Sequence, residues 1–176
     1  MTALDTGSYR ARTLVDTPGV AGAAFKEALA RLASGLAIVS CWGDGGPEGV
    51  LVSSITGLSV DPPRFLFCIR REASAHDTIA AAHVCGVSIL SADDEAEART
   101  FMDPAGRADR FTGAGWTREA LRPPLLQTAL STAVCLVDTI IEAGSHSIVL
   151  VTAQSLAQRP ARPLVSYDRA LHLLPG

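Results

Sequence analysis

The sequence predicts a mainly β domain with flanking helices (β+α), its strands rolled into an antiparallel barrel. Three observations lead there. Apolar stretches of strand length recur from Leu36 to Leu173. Most neighbouring stretches are joined by short glycine- or proline-bearing connections, as hairpins require, and helical spacing is confined to a few short segments. Six or seven strands with two or three helices, mostly in hairpin order, fit a closed antiparallel barrel.

The elements follow in order. Residues 1–20 are polar, without a sustained period, and carry Pro18-Gly19; they are expected to form a flexible N-terminal arm ahead of one domain at 21–176. Ala21 to Ala33 places Phe25, Leu29 and Leu32 at helical spacing, and Ser34-Gly35 is expected to end that helix with a left-handed glycine. Leu36–Trp42 is a strand, GDGGPEG (43–49) a glycine-rich hairpin connection, and Val50–Val60 a second strand bent near Gly57. Asp61-Pro62-Pro63 breaks the chain because proline lacks the ladder donor. Arg64–Ile69 follows as a short buried strand, and Ser74 is placed to cap a helix over Ala75–Ala82. Cys85–Leu90 is a strand. Ser91 then caps a helix reaching about Met102, with Asp93, Asp94 and Glu95 in its first turn, where the helix dipole favours negative charge. Residues 103–128 read as loop with short helical pieces. Ala133–Ala143 and Ser147–Gln158 form two long strands around Gly144-Ser145-His146, and Leu164–Tyr167 and Leu171–Leu173 add two short ones.

Composition narrows the function classes. The chain has 176 residues, about one domain. At 48% hydrophobic and 19% charged it has the apolar surface to offset its ordering entropy, which excludes a disordered protein. Fifteen basic against eighteen acidic residues give a net charge of −3, so no field favours nucleic acid. No run of roughly 20 apolar residues exists to span a membrane as a helix. Cys41, Cys68, Cys85 and Cys135 show no CxxC or other metal spacing and each lies in an apolar run, so they are expected to be buried reduced thiols. The start, MTALDTGSYRARTL, lacks the basic-then-apolar layout of a signal peptide, which makes the cytoplasm the expected compartment.

Common catalytic signatures are missing. Gly57-Leu58-Ser59-Val60-Asp61 has aspartate where a GxSxG nucleophile elbow needs glycine. GDGGPEG matches neither GxGxxG nor GxxxxGK[ST], and it joins two strands instead of opening a helix. His76, His83, His146 and His172 are scattered without metal-ligand spacing, so no metal is expected. Two segments do offer binding chemistry. Ser53 and Ser54 place hydroxyls beside backbone amides that a bent strand leaves unpaired. Arg70, Arg71 and Ser74 cluster where a strand passes into a helix N-terminus, an end with orphan amides and a favourable dipole for anions. Taken alone, strand serines and an Arg-Arg pair are usually solvated surface.

Their order along the chain changes that weighting. SSITGLSVDPPRFLFCI, then CIRREASAHD, then FTGAGW, then AGSHSIV resembles the flavin reductase-like family, the FMN-binding split barrels that supply reduced flavin to two-component monooxygenases. The resemblance covers roughly residues 21–175. It implies an antiparallel split β-barrel of the FMN-binding type and an NAD(P)H-dependent flavin reductase using FMN or FAD, with NADH or NADPH as co-substrate. It implies that Leu51, Val52, Ser53 and Ser54 line the ring and ribityl side. Ile69, Arg70, Arg71, Ser74 and His76 fall on the phosphate side, and His146 near the nicotinamide face. A homodimer and a flavin-dependent monooxygenase partner are implied too. The hydride needs no protein nucleophile, since the cofactor carries the chemistry. Ser145 stands where the family usually has aspartate, Leu51 for a common threonine and Gly57 for a common serine, while Ser166 and Leu171 occupy positions that are often tyrosine. Ser145 therefore keeps a second reading open: a flavin carrier or accessory protein without free-nicotinamide reductase activity. Arg110-Phe111 matches the family loop too, either near the second substrate or as a structural contact. Trp42 and Trp116 are expected to anchor packing, and DDEAE at 93–97 to be a solvated helix face.

Overall fold

The computed structural model describes residues 19–119 and 121–174. The expected arm at 1–20 lies almost wholly outside them. In chain order the elements are α1 (Gly22–Ala30), β1 (Ser34–Gly35), β2 (Ala37–Gly43), β3 (Gly46–Val52), β4 (Thr56–Ser59), β5 (Arg64–Arg70), α2 (His76–Ala81), β6 (Val84–Ile89), α3 (Glu95–Met102), β7 (Ser131–Ala143), β8 (His146–Gln158), β9 (Leu164–Tyr167) and β10 (Ala170–Leu173). Seven strands form one antiparallel sheet in the order β3-β2-β6-β7-β8-β5-β4, and β1, β9 and β10 make a second, small one.

The large sheet has to curl. Its two end strands, β3 and β4, are consecutive in the chain and joined only by Ser53-Ser54-Ile55, so its ends are drawn together. No ladder joins β3 to β5 although the two lie against each other. The barrel is split at this seam instead of closed.

Period-two alternation fills the interior. Val39 and Cys41 on β2, Phe67 and Ile69 on β5, Cys85 and Val87 on β6, and Val149 and Val151 on β8 are buried in one cluster, plugged at one end by Ile79 of α2. The opposite face of β2, through Ile38, packs into a second cluster with Phe101 of α3, Phe111, Trp116 and Leu126. Burial on both faces explains why LAIV (36–39) is an unbroken apolar run, and why the buried Ser40 that follows it gives its hydroxyl to the Pro124 carbonyl.

Several expected elements shift, each for a local reason. Val50–Val60 is two strands: the break falls at Ser53–Ile55, where the chain changes partner, while Gly57 sits at a register shift against β5. Ser74 does not cap α2. The N-cap is Ala75, no side chain bonds there, and the helix has only 6 residues. Ser91 does cap its turn: its amide and hydroxyl both donate to the buried Asp94 carboxylate at 2.7 Å, a reciprocal box that extends into α3. Gly35 is not a left-handed stop; Ser34-Gly35 pairs with β9 as β1, and α1 ends at Ala30 with Arg31 as its C-cap. The hairpin at 43–49 is tighter than its seven residues suggest, since Gly43 pairs with Gly46 and only Asp44-Gly45 form the loop, with Gly46 at φ 126°.

Cys41, Cys85 and Cys135 are free thiols inside the barrel, and Cys85 faces Cys135 across the β6–β7 ladder. Burial pushes the Cys41 thiol up from 9.0 to about 11 and Cys135 to about 12; Cys85 is pushed up further. A raised folded-state value means the unfolded chain releases these protons first, so the stability they contribute is complete below pH 9 and falls as pH rises toward 11–12. Urea-unfolding midpoints are expected to hold to pH 9 and then drop, and the drop should shrink in Cys41→Ala/Cys135→Ala protein.

Candidate functional site

The break in the sheet creates the site. β3 is an end strand, so one of its edges has no ladder partner, and every second residue turns its amide and carbonyl outward. Where β3 stops, Ser54 takes over as a side-chain clasp. The Cys68 amide donates to Ser54 Oγ at 2.9 Å, and Ser54 Oγ donates to the Cys68 carbonyl at 3.1 Å. One hydroxyl thus satisfies both backbone groups of a β5 residue that a closed barrel would give to a neighbouring strand.

A cavity of about 590 Å³ opens along this seam, within the range of small-molecule sites. One wall is the end of β3 with Val50, Leu51, Val52, Ser53 and Ser54. The facing wall is the end of β5 with Cys68, Ile69 and Arg70. His146 lies beside Arg70 because the two pair across the β5–β8 ladder. Seven of the ten residues singled out from sequence therefore meet at one cavity: Leu51, Val52, Ser53, Ser54, Ile69, Arg70 and His146.

Arg71, Ser74 and His76 do not line it. The Arg71 amide donates to the Ser145 carbonyl at 3.0 Å, and its Nη1 pairs with Glu142 at 3.4 Å, which ties the end of β5 to the β7–β8 turn. Ser74 opens onto an adjoining basin. His76 Nε2 lies 2.9 Å from Ser147 Oγ and Nδ1 2.8 Å from Asp77 Oδ1. A carboxylate cannot donate, so the neutral ring carries its proton on Nδ1 and accepts from the Ser147 hydroxyl. His76 is a pin between α2 and β8, with its side chain only 12% exposed.

The third wall was not legible in the sequence. Lys26, Leu29, Ala30 and Leu32 of α1 and its flank, with Ser34, Ser166 and Arg169, complete the cavity. α1 reaches it through the β9–β10 turn: the Asp168 amide donates to the Ala30 carbonyl at 2.8 Å, Arg31 pairs with Asp168 at 3.4 Å, and Arg169 pairs with Glu27. Asp168 and Arg169 both take positive φ, 47° and 63°, without a glycine to announce the turn. Among the described residues no carboxylate lies within ion-pair distance of Lys26 or Arg70, so the cavity has cationic character. Ser145 Oγ lies 2.9 Å from His146 Nδ1, so a neutral hydroxyl orients that ring.

Residues 29–175 match the family model described as flavin reductase like domain. The chain belongs to this family. Its relatives include FMN reductase (NADH) RutF 2 of Methylorubrum extorquens (strain PA1), 31% identical over 161 residues, which span 91% of this chain and 94% of the relative. Among solved structures, BorF, the flavin reductase component of a bacterial two-component tryptophan halogenase, superposes with a TM-score of 0.80 at 26% identity over 89% of this chain and 99% of its own. The NADH:FAD oxidoreductase SgcE6 of Streptomyces globisporus C-1027, in complex with NAD and FAD fragments, gives 0.79 at 25% identity over 86% of this chain and 91% of its own. The antiparallel split barrel expected from the sequence is the family's fold.

Ser54→Ala removes both bonds of the clasp, whereas Ser53 is exposed and makes no side-chain bond among the described residues. Ser54→Ala is expected to cost about 1 kcal/mol of unfolding free energy and Ser53→Ala much less, as measured by urea denaturation.

Proposed function

We propose that the chain is a flavin reductase that transfers a hydride from NADH or NADPH to FMN or FAD and supplies the reduced flavin to a monooxygenase. The observation that carries this reading is the cavity at the seam, where a bare strand edge, two serine hydroxyls and an unpaired arginine meet. These groups fit a flavin. The pyrimidine edge of the ring has peptide-like donors and acceptors, which suit the free amides and carbonyls of β3. Ser53 and Ser54 suit the ribityl hydroxyls, and Arg70 with Lys26 the phosphate. The family membership and the activity for which its relatives are named support the same reading.

When bound, the flavin supplies the hydride acceptor at N5, so the protein needs no nucleophile of its own. The chain's part is positioning. Ser54 holds the two walls at fixed separation, Ile69 and Val52 keep water from the inner side of the cavity, and Arg71 anchors the turn that presents His146. His146, steadied by Ser145, is suited to bond the nicotinamide carboxamide and set that ring at near-attack distance.

A second copy of the chain is part of this reading. α1 has no buried residue, and Phe25, Leu29 and Leu32 are 55%, 52% and 65% exposed beside the cavity. An apolar helix face of this kind asks for a partner, and a homodimer supplies one. No helix among the described residues is long and apolar enough to cross a membrane; the cytoplasm suits the reaction, where nicotinamide nucleotides are available.

One observation favours the alternative of a flavin carrier or accessory. Ser145 brings no negative charge to His146, so it cannot make that ring more basic as a carboxylate would. Purified protein mixed with FMN or FAD decides. The reductase reading expects NADH or NADPH oxidation at 340 nm only with flavin present, from a protein eluting at twice the chain mass, and roughly tenfold lower kcat/KM in His146→Ala. Flavin that binds but is not bleached by either nucleotide would support the carrier instead.

A further inference from the structure

The flavin cavity does not end at Val50 and Ala73. The next residue along each segment, Gly49 and Ser74, lines an adjoining basin of about 300 Å³ that also holds Arg107, Arg110 and Phe111. Arg110 and Phe111 continue into a third cavity of about 330 Å³, walled by Trp42 and Trp116. The second and third hollows share Pro47, Arg110 and Phe111, and the first adjoins the second at the consecutive pairs Gly49–Val50 and Ala73–Ser74.

Their chemistry changes along the way. The middle basin is cationic: Arg107 and Arg110 face it, and among the described residues one carboxylate, Glu48, 3.8 Å from Arg107, lies within ion-pair distance of either. Arg110 is placed at a cost. Burial, and then the charge of Arg107, hold its pKa below the ordinary arginine value despite Asp103. Two such guanidiniums side by side are relieved by an anion between them. The far hollow is aromatic. Phe111 and Trp116 have ring centroids 4.5 Å apart, and Trp42 is 39% exposed at the rim, its indole fixed by a 2.7 Å bond to the Arg122 carbonyl.

Two further facts set this region apart. Of the three buried side-chain atoms without a hydrogen-bond partner among the described residues, two are here: Arg110 Nε and Trp116 Nε1. Native structures rarely leave such donors unmet without a reason. Phe111 also holds φ at 63°, a left-handed conformation that costs a non-glycine residue energy and tends to mark function. That turn seats the Phe111 ring against β3 at Gly49, where a Cβ would lie 2.8 Å from Phe111 Cζ.

We infer that the Arg107–Arg110 basin and the Trp42–Phe111–Trp116 hollow form an adenylate subsite, adjoining the flavin cavity, that makes FAD the preferred flavin over FMN. The inference rests on the flavin reading above. A phosphate group bridges the two arginines, and adenine lies against the exposed Trp42 indole at the rim of the Phe111–Trp116 wall, which gives it stacking area. The adenylate half of the nicotinamide nucleotide has the same chemistry, but the basin adjoins the flavin cavity at Gly49–Val50 and Ala73–Ser74, beside the residues placed on the flavin phosphate side, which favours FAD.

Fluorescence-quenching titrations with FAD, FMN and riboflavin, without nicotinamide nucleotide, test it. The expected result is at least tenfold tighter binding of FAD than of FMN. Arg107→Ala and Trp42→Ala should each lower the FAD-to-riboflavin affinity ratio fivefold or more. Both residues are partly exposed, so folding should survive, and circular dichroism checks it. FMN binding as tightly as FAD, or an unaltered ratio in both variants, would overturn the inference while leaving the flavin reading intact. Failure of all three flavins to bind would instead remove the flavin reading itself. If the variants raise KM for NADH with riboflavin as acceptor but leave the FAD ratio alone, the subsite belongs to the nicotinamide nucleotide and its assignment to FAD fails.

Discussion

The architecture depends on one side chain replacing a missing strand. The chain leaves one end of the large sheet at Val52 and re-enters it at the other end at Thr56, with three residues to make the change. A ladder cannot continue through such a reversal, so the barrel must either gape or be held by something other than backbone pairing. Ser54 holds it: its hydroxyl both accepts from and donates to Cys68. The seam stays narrow enough to share an interior core across Val52 and Ile69, yet the edge of β3 remains bare. A cavity with polar backbone on one wall and an arginine on the other follows from that compromise.

The surrounding structure sets the walls at fixed positions. The Arg71 amide donates to the Ser145 carbonyl at the β7–β8 turn and the β5–β8 ladder pairs Arg70 with His146, so the two stay neighbours. His76 pins α2 to β8 through Ser147, which is buried. On the opposite side, α1 hangs from the β9–β10 turn by one backbone bond and two exposed ion pairs. Exposed pairs of this kind contribute little. This wall is the softer one, and it carries the uncovered apolar residues.

Much of the fold was legible because its strands alternate in the period that a half-buried sheet demands. The long strands β7 and β8, the Ser91 cap and the proline break before β5 were all read to within a few residues. What escaped depends on pairing between distant segments. VLVSSITGLSV looks like one strand because nothing local in it says that its halves belong to opposite ends of a sheet. Ser74 and Ser91 each have an aspartate three residues on, but Asp94 accepts from the Ser91 amide and hydroxyl, whereas Asp77 lies against His76 Nδ1 and leaves Ser74 outside the helix cap. The helical spacing of Phe25, Leu29 and Leu32 was correct, but it could not say that this face is left uncovered. At the site, the sequence found the two walls that carry motifs. It missed Lys26, Ser166 and Arg169, brought in by a turn at Asp168-Arg169 that has no glycine to mark it. Arg71 and His76 look like ligand groups in sequence, yet they serve the framework.

The most direct test of this account is amide hydrogen exchange, read residue by residue, on the free protein and on protein saturated with flavin. If the seam is the flavin cleft, protection should rise at Val50–Ser54 and Cys68–Arg70 together, the two walls responding as one unit. Added flavin that leaves both segments unchanged while protecting amides elsewhere would contradict it.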